Sequence, residues 1–222
     1  MDLSFSRRRL LTGAMGSGVA LAHASRAFAA TEFWNAKDPT TWTEAEIGIL
    51  TSKSPWAKTV LPTFRGADLA GRSGREGRGF RSDAISVIVR WESAQPILDA
   101  LRVPSVVDFE GHYVVSVTNL PLINLRRPGR GPGAVNQGDP AHDDALDRLQ
   151  NGATLLAKGK DPAVAGRASR TRIGSFLFGF SKDYVHLGPA DRDIVFRLDT
   201  GELTLQADFN TKDMNYRGKL AL

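Results

Sequence analysis

The stretch DIVFRLDTGELTLQADF, Asp193–Phe209, decides the fold class. Ile194, Phe196 and Leu198 alternate with Asp193, Val195 and Arg197; beyond Asp199-Thr200-Gly201, Leu203, Leu205 and Phe209 form a second alternating set. An extended chain turns successive side chains to opposite faces, so this pattern marks strands with one covered face. Asp and Gly in the short connection are hairpin residues. The two runs therefore predict neighbouring antiparallel strands. The next run, MNYRGKLAL, puts Met214, Tyr216, Leu220 and Leu222 on one face and predicts a third strand, while SFLFGF and DYVHLG upstream predict two more.

Moving toward the amino terminus, Asp139-Pro140 reads as a cap and first helical position, with Asp143 and Asp144 suited to the positive end of the helix dipole and Lys158 to the far end. A helix over 140–158 is expected, weakened at Gly152. HYVVSVTNL is a strand by its β-branched content. AISVIVRWE alternates Ile85, Val87, Val89 and Trp91 with Ser86, Ile88, Arg90 and Glu92, and Ser93 is placed to cap a helix AQPILDALRV that Pro104 closes. Thr43 and Glu46 have capping-box spacing and Trp42 and Ile47 the spacing of a hydrophobic staple, so a helix starts there and stops at Ser54-Pro55. The expected class is α+β: an antiparallel sheet with a C-terminal β-meander packed against a few short helices.

The first residues carry a different message. Arg7, Arg8 and Arg9 precede an apolar but glycine-diluted run, Leu10 to Ala22, and then Ala27-Phe28-Ala29-Ala30. That is the order of an exported leader, with cleavage expected between Ala29 and Ala30. SRRRLL resembles the twin-arginine export signal, which implies the twin-arginine translocase as a partner and Arg7 and Arg8 as its recognition pair. Residues 1–29 are then a cleaved signal and 30–222 a single mature domain of roughly 190 residues. The whole chain has 29 Lys and Arg against 24 Asp and Glu, which falls to 25 against 23 once Arg7, Arg8, Arg9, Arg26 and Asp2 are set aside. A near-neutral mature chain removes the main support for nucleic-acid binding. Without cysteine there are no disulfides and no thiolate metal site. No second apolar run has membrane length, so no stable span is expected in the mature form. Two stretches, 66–82 and 127–138, combine Gly or Pro with arginine and few apolar anchors, a composition that predicts mobile loops.

Chemical motifs are sparse. Asp199-Thr200-Gly201 is the triplet that aspartic peptidases present in a turn, but Glu202 replaces the small residue usual after it and only 21 residues follow Gly201. A hairpin turn is the competing reading. His112, His142 and His186 lack the spacing of a metal-ligand pair, and His142-Asp143-Asp144 point in different directions on a helix. No metal site, no catalytic residue and no cofactor motif is legible. Arg90, Trp91 and Glu92, at the end of a strand before a helix, could form a shallow pocket with an aromatic wall and two charges. The alternative buries Trp91 with Trp42 and Trp56 and leaves Arg90 and Glu92 on the opposite face.

WTEAEIGILTSKSPWAK, VRWESAQPILDAL, KGKDP and DMNYRGKLAL together resemble a group of exported bacterial proteins to which no activity is assigned. The resemblance implies export and no reaction. The expectation is a periplasmic or secreted, non-catalytic envelope protein that binds a small ligand or envelope partner through Arg90, Trp91 and Glu92; the alternative is a hydrolase whose site is assembled from dispersed carboxylates, with Asp199 the lead.

Overall fold

The computed structural model describes residues 32–65, 85–121 and 140–222, the side chains of 140–144 excepted. The leader with its cleavage site, the His142 side chain and the Arg/Gly stretches 66–82 and 127–138 lie outside what the structure describes. Of the two units into which the chain divides, Met1–Phe33 is almost wholly outside them as well, and Trp34–Leu222 carries the fold.

Helix α1 (Phe33–Ala36) and a 3-10 turn at Pro39–Thr41 lead into α2 (Glu44–Ser52). The capping box is formed: Thr43 Oγ1 accepts from the Glu46 amide at 3.3 Å and a Glu46 carboxylate oxygen accepts from the Thr43 amide at 2.9 Å. Strands β1 (Ala57–Val60), β2 (Thr63–Phe64) and β3 (Val87–Trp91) follow, then α3 (Gln95–Leu101), β4 (His112–Thr118) and α4 (Pro140–Gly152). The rest is extended: β5 (Ala153–Ala157), β6 (Ala163–Val164), β7 (Arg167–Arg170), β8 (Phe176–Ser181), β9 (Asp193–Asp199), β10 (Leu203–Asn210), β11 (Asn215–Tyr216) and β12 (Lys219–Leu220). The class is α+β, with every strand pair antiparallel. No helix among the described residues is long and apolar enough to cross a membrane.

The strands form two five-stranded sheets, ordered β1-β3-β4-β8-β7 and β2-β10-β9-β5-β6, with β11-β12 apart. Alternation fixes the inner faces. In the first sheet the register sets Val89 beside Val117 and Trp91 beside Val115; in the second it sets Leu155 beside Phe196 and Phe196 beside Ala207. The two faces meet through rings: Trp91 on Phe209 at 5.5 Å, Phe178 on Phe196 at 5.8 Å and Phe180 on Phe196 at 6.4 Å between centroids. All five side chains are fully buried or nearly so. On the outer face of the first sheet, Phe109 lies against Gly179, where an added Cβ would come within 2.6 Å of the Phe109 ring. That cover explains why Val114, pointing away from the inner face, is also fully buried.

Four local expectations change. The helix expected over 140–158 ends at Gly152, because ATLLA pairs with β9 and buries Ala153, Leu155 and Ala157. Gly152 marks the break because a Cβ there would sit 2.2 Å from the carbonyl oxygen of Asp199. DYVHLG is not a strand: the Tyr113 hydroxyl donates to Leu187 O and accepts from its amide, while Lys160 bonds His186 O, so these polar groups are satisfied outside a ladder. MNYRGKLAL folds at Arg217-Gly218 into its own hairpin instead of a third strand of the meander. Ser93 does not cap α3. Its hydroxyl accepts from the Val114 amide at 3.0 Å, and Ala94 holds the cap position without a side-chain bond.

Because Trp91 fills the space between the sheets, Trp91→Ala is expected to cost about 3–5 kcal/mol in urea unfolding. A loss below about 1 kcal/mol, the range of an exposed position, would contradict this packing.

Candidate functional site

Three short elements border an open groove of about 620 Å³. The 3-10 turn supplies one wall. Asp38 precedes it and caps it, its Oδ1 accepting from the Thr40 amide at 3.0 Å and the Thr40 hydroxyl at 2.6 Å, and Pro39 sets the backbone for the first turn position. The end of α3 supplies the second wall, with Leu98, Asp99, Arg102 and Val103. The β11-β12 turn supplies Arg217. That turn is anchored to the amino-terminal segment, since Asn35 Oδ1 accepts from the Arg217 amide at 2.8 Å and Asn35 Nδ2 donates to Asn215 O at 3.2 Å.

Of the two carboxylates of the groove, Asp99 has both oxygens engaged and Asp38 has one. Asp99 accepts from Gln95 Nε2 at 2.6 Å on one oxygen and from the Tyr216 hydroxyl at 2.7 Å on the other. Burial, then the Asp99 bond, pushes the Tyr216 phenol well above the ordinary tyrosine range, so it stays a donor. The Thr40 hydroxyl and amide hold the Asp38 carboxyl below its ordinary value, with a smaller contribution from Arg217, whose guanidinium is 4.0 Å away. Arg217 also lies 5.2 Å from the centroid of the Tyr216 ring. Among the described residues no carboxylate is within ion-pair distance of Arg102.

Arg102 and Arg217 share a backbone feature. Their φ angles are 56° and 50°, the left-handed region that glycine occupies freely and that costs other L-residues about 1–2 kcal/mol. Arg102 terminates α3, its amide bonding the Asp99 carbonyl; Arg217 is the first turn residue before Gly218, whose φ is 78°. Glycine or asparagine is the ordinary occupant of both positions.

The residues expected from the sequence to bind ligand lie elsewhere. Trp91 has 0% exposure and belongs to the space between the sheets, so only Arg90 and Glu92 reach the outer face. They are bound to each other, Arg90 Nε to Glu92 Oε2 at 2.7 Å and Nη2 to Oε1 at 2.9 Å, and the Ser116 hydroxyl donates to Glu92 Oε2 at 3.0 Å. Their side chains are 19% and 13% exposed. The pair is a largely covered, bidentate ion pair on the sheet and not two solvated charges beside a pocket. Asp199 is a turn residue: Oδ1 accepts from the Gly201 amide at 2.9 Å and Oδ2 from Arg197 Nη2 at 3.1 Å, with Arg65 Nη2 at 3.6 Å. His112 Nδ1 bonds Glu110 O at 2.7 Å. Among the described residues no three His, Asp or Glu side chains gather where they could hold a metal ion. Sequence reasoning missed the groove, although Arg-Gly inside NYRGKL was a legible signal of a tight hairpin with an unusual first residue.

The Gly201 amide first, then Arg197 and Arg65, holds the Asp199 carboxyl below the ordinary range. Such a group stabilises the folded state above its unfolded pKa of about 4, and the contribution is lost as pH falls through the lower folded value. Asp199→Asn is therefore expected to reduce the fall in Tm between about pH 5 and about pH 2.5. An equal fall in both proteins would contradict the assignment of Asp199 as an ionised turn residue.

Comparison of the chain with protein-family models, with curated proteins and with solved structures found no match, so the reading of the groove rests on its own geometry.

Proposed function

We propose that the protein is an exported, non-catalytic binding protein of the bacterial envelope, periplasmic or secreted, whose ligand seat is the groove between the 3-10 turn, the end of α3 and the β11-β12 turn. The twin-arginine translocase exports it through Arg7 and Arg8, and cleavage between Ala29 and Ala30 releases residues 30–222. The observation that carries the binding reading is the state of the groove: it is open, yet Asp99 spends both of its oxygens on internal hydrogen bonds and Asp38 spends Oδ1. A general acid or base needs a lone pair or proton directed at substrate. Asp99 directs both of its oxygens into the protein, and Asp38 commits Oδ1 to Thr40 and leaves Oδ2 4.0 Å from the Arg217 guanidinium. The hydrolase alternative rests on Asp199, and its oxygens are likewise engaged by Gly201 and Arg197. The near-neutral mature charge favours a small ligand or an envelope partner over nucleic acid.

The export half predicts that Arg7→Lys with Arg8→Lys leaves uncleaved precursor in the cytoplasm, because a guanidinium fork is not reproduced by an ammonium; normal export of that variant would contradict it. For the binding half, native mass spectrometry of the protein isolated from its own envelope is expected to show a small-molecule adduct that is lost in Val103→Trp, a bulky side chain at an exposed position of the groove lining. Turnover of a peptide, ester or glycoside by the purified protein would contradict a non-catalytic role.

A further inference from the structure

The groove has a polarity that its residue types do not reveal. It holds two aspartates and two arginines, but Asp99 accepts from Gln95 and Tyr216 on its two oxygens and Asp38 from Thr40 on Oδ1, whereas Arg102 has no carboxylate partner among the described residues and Arg217 has only Asp38 Oδ2, at 4.0 Å. The donors left for a ligand are guanidinium N–H groups. Leu98, Val103 and Pro39 add apolar wall beside them.

The backbone carries the argument further. Of the described residues other than glycine, four have positive φ: Arg102, Asp108, Asn119 and Arg217. Asp and Asn are frequent visitors to that region because their short side chains bond locally. Arginine has no such reason to be there, and both arginines found there line the same groove. Strain retained at two positions where glycine would relieve it is the mark of side chains kept for what they contact. The dipole of α3 gives Arg102 a partial explanation, since cations suit a helix C-terminus; it offers none for Arg217, which sits in a hairpin turn. Resting on the reading of the groove as the ligand seat, we propose that Arg102 and Arg217 together hold the oxyanion head, carboxylate or phosphate, of a small ligand whose apolar body lies against Leu98 and Val103. Guanidinium pairs with either head through paired N–H donors, which gives the seat its geometry as well as its charge.

The test uses the exported protein, labelled with ¹⁵N and titrated with hexanoate, hexyl phosphate and hexylammonium. Hexanoate or hexyl phosphate is expected to shift the amides of residues 98–103 and 216–218 saturably, the tighter of the two identifying the head group, while hexylammonium leaves them in place. Arg102→Gly and Arg217→Gly suit the left-handed backbone, so the variants are expected to keep the parent's Tm or exceed it. Each should weaken binding by at least about ten-fold, a loss of one charge-assisted contact. Unmoved groove amides with both anions, or glycine variants that bind as tightly as the parent, would overturn the oxyanion assignment. Should the envelope-derived adduct be lost in Val103→Trp yet survive in the Arg102→Gly/Arg217→Gly double variant, the groove remains the seat and the oxyanion assignment alone falls.

Discussion

The contact of Trp91 with Phe209, together with Phe178 and Phe180 on Phe196, is the interaction on which the rest of the structure depends. Each sheet has one apolar face, and an antiparallel sheet with an uncovered apolar face does not persist in water. The rings cover both faces at once. Trp91 is also a structural corner: its amide bonds Trp56 O at 2.8 Å, and Trp56 in turn stacks edge-on against Trp34 and donates its indole N–H to Ala221 O at 2.8 Å. One buried cluster thus ties the amino-terminal helices, the first sheet and the carboxyl terminus.

That arrangement delivers the groove. Its three walls come from segments far apart in the chain, and the bond from Tyr216 to Asp99 alone spans 117 positions. The 3-10 turn, the end of α3 and the terminal hairpin meet because Trp42 packs edge-on against Tyr216 at 6.4 Å and Asn35 bonds both Asn215 and Arg217. A rigid scaffold holding short turns suits binding, since ordering of the site is complete before a ligand arrives. The two left-handed arginines fit the same logic: their backbone strain is tolerable only because the surrounding contacts over-determine the turns.

Much of the secondary structure was legible because it is written in local periodicity. The runs at Ile194–Leu198 and Leu203–Phe209 became β9 and β10 in the expected pairing, Thr43 and Glu46 formed their capping box, and α3 formed within AQPILDALRV. What escaped was set by contacts distant in sequence. Alternation states that Phe178 and Phe196 are covered but not by each other, so one sheet was expected where two stand face to face. The α4 boundary depends on Gly152 approaching Asp199, 47 positions on. Arg90 and Glu92 are two positions apart on one face of the alternating run, so their mutual bond was within reach of the alternation, but the Ser116 hydroxyl that joins it comes from sheet register. The groove was invisible for the same reason: whether an aspartate or an arginine is free for a ligand depends on partners that only the folded chain brings near.

Native-state hydrogen exchange tests the dependence of the fold on the inter-sheet rings most directly. If neither sheet persists without the other, the amides of β3, β4 and β8 and those of β9 and β10 exchange through one opening with a common free energy equal to that of global unfolding. Exchange of β9 and β10 at a distinctly lower free energy, with β3, β4 and β8 still protected, would show that the first sheet stands alone and would contradict the account.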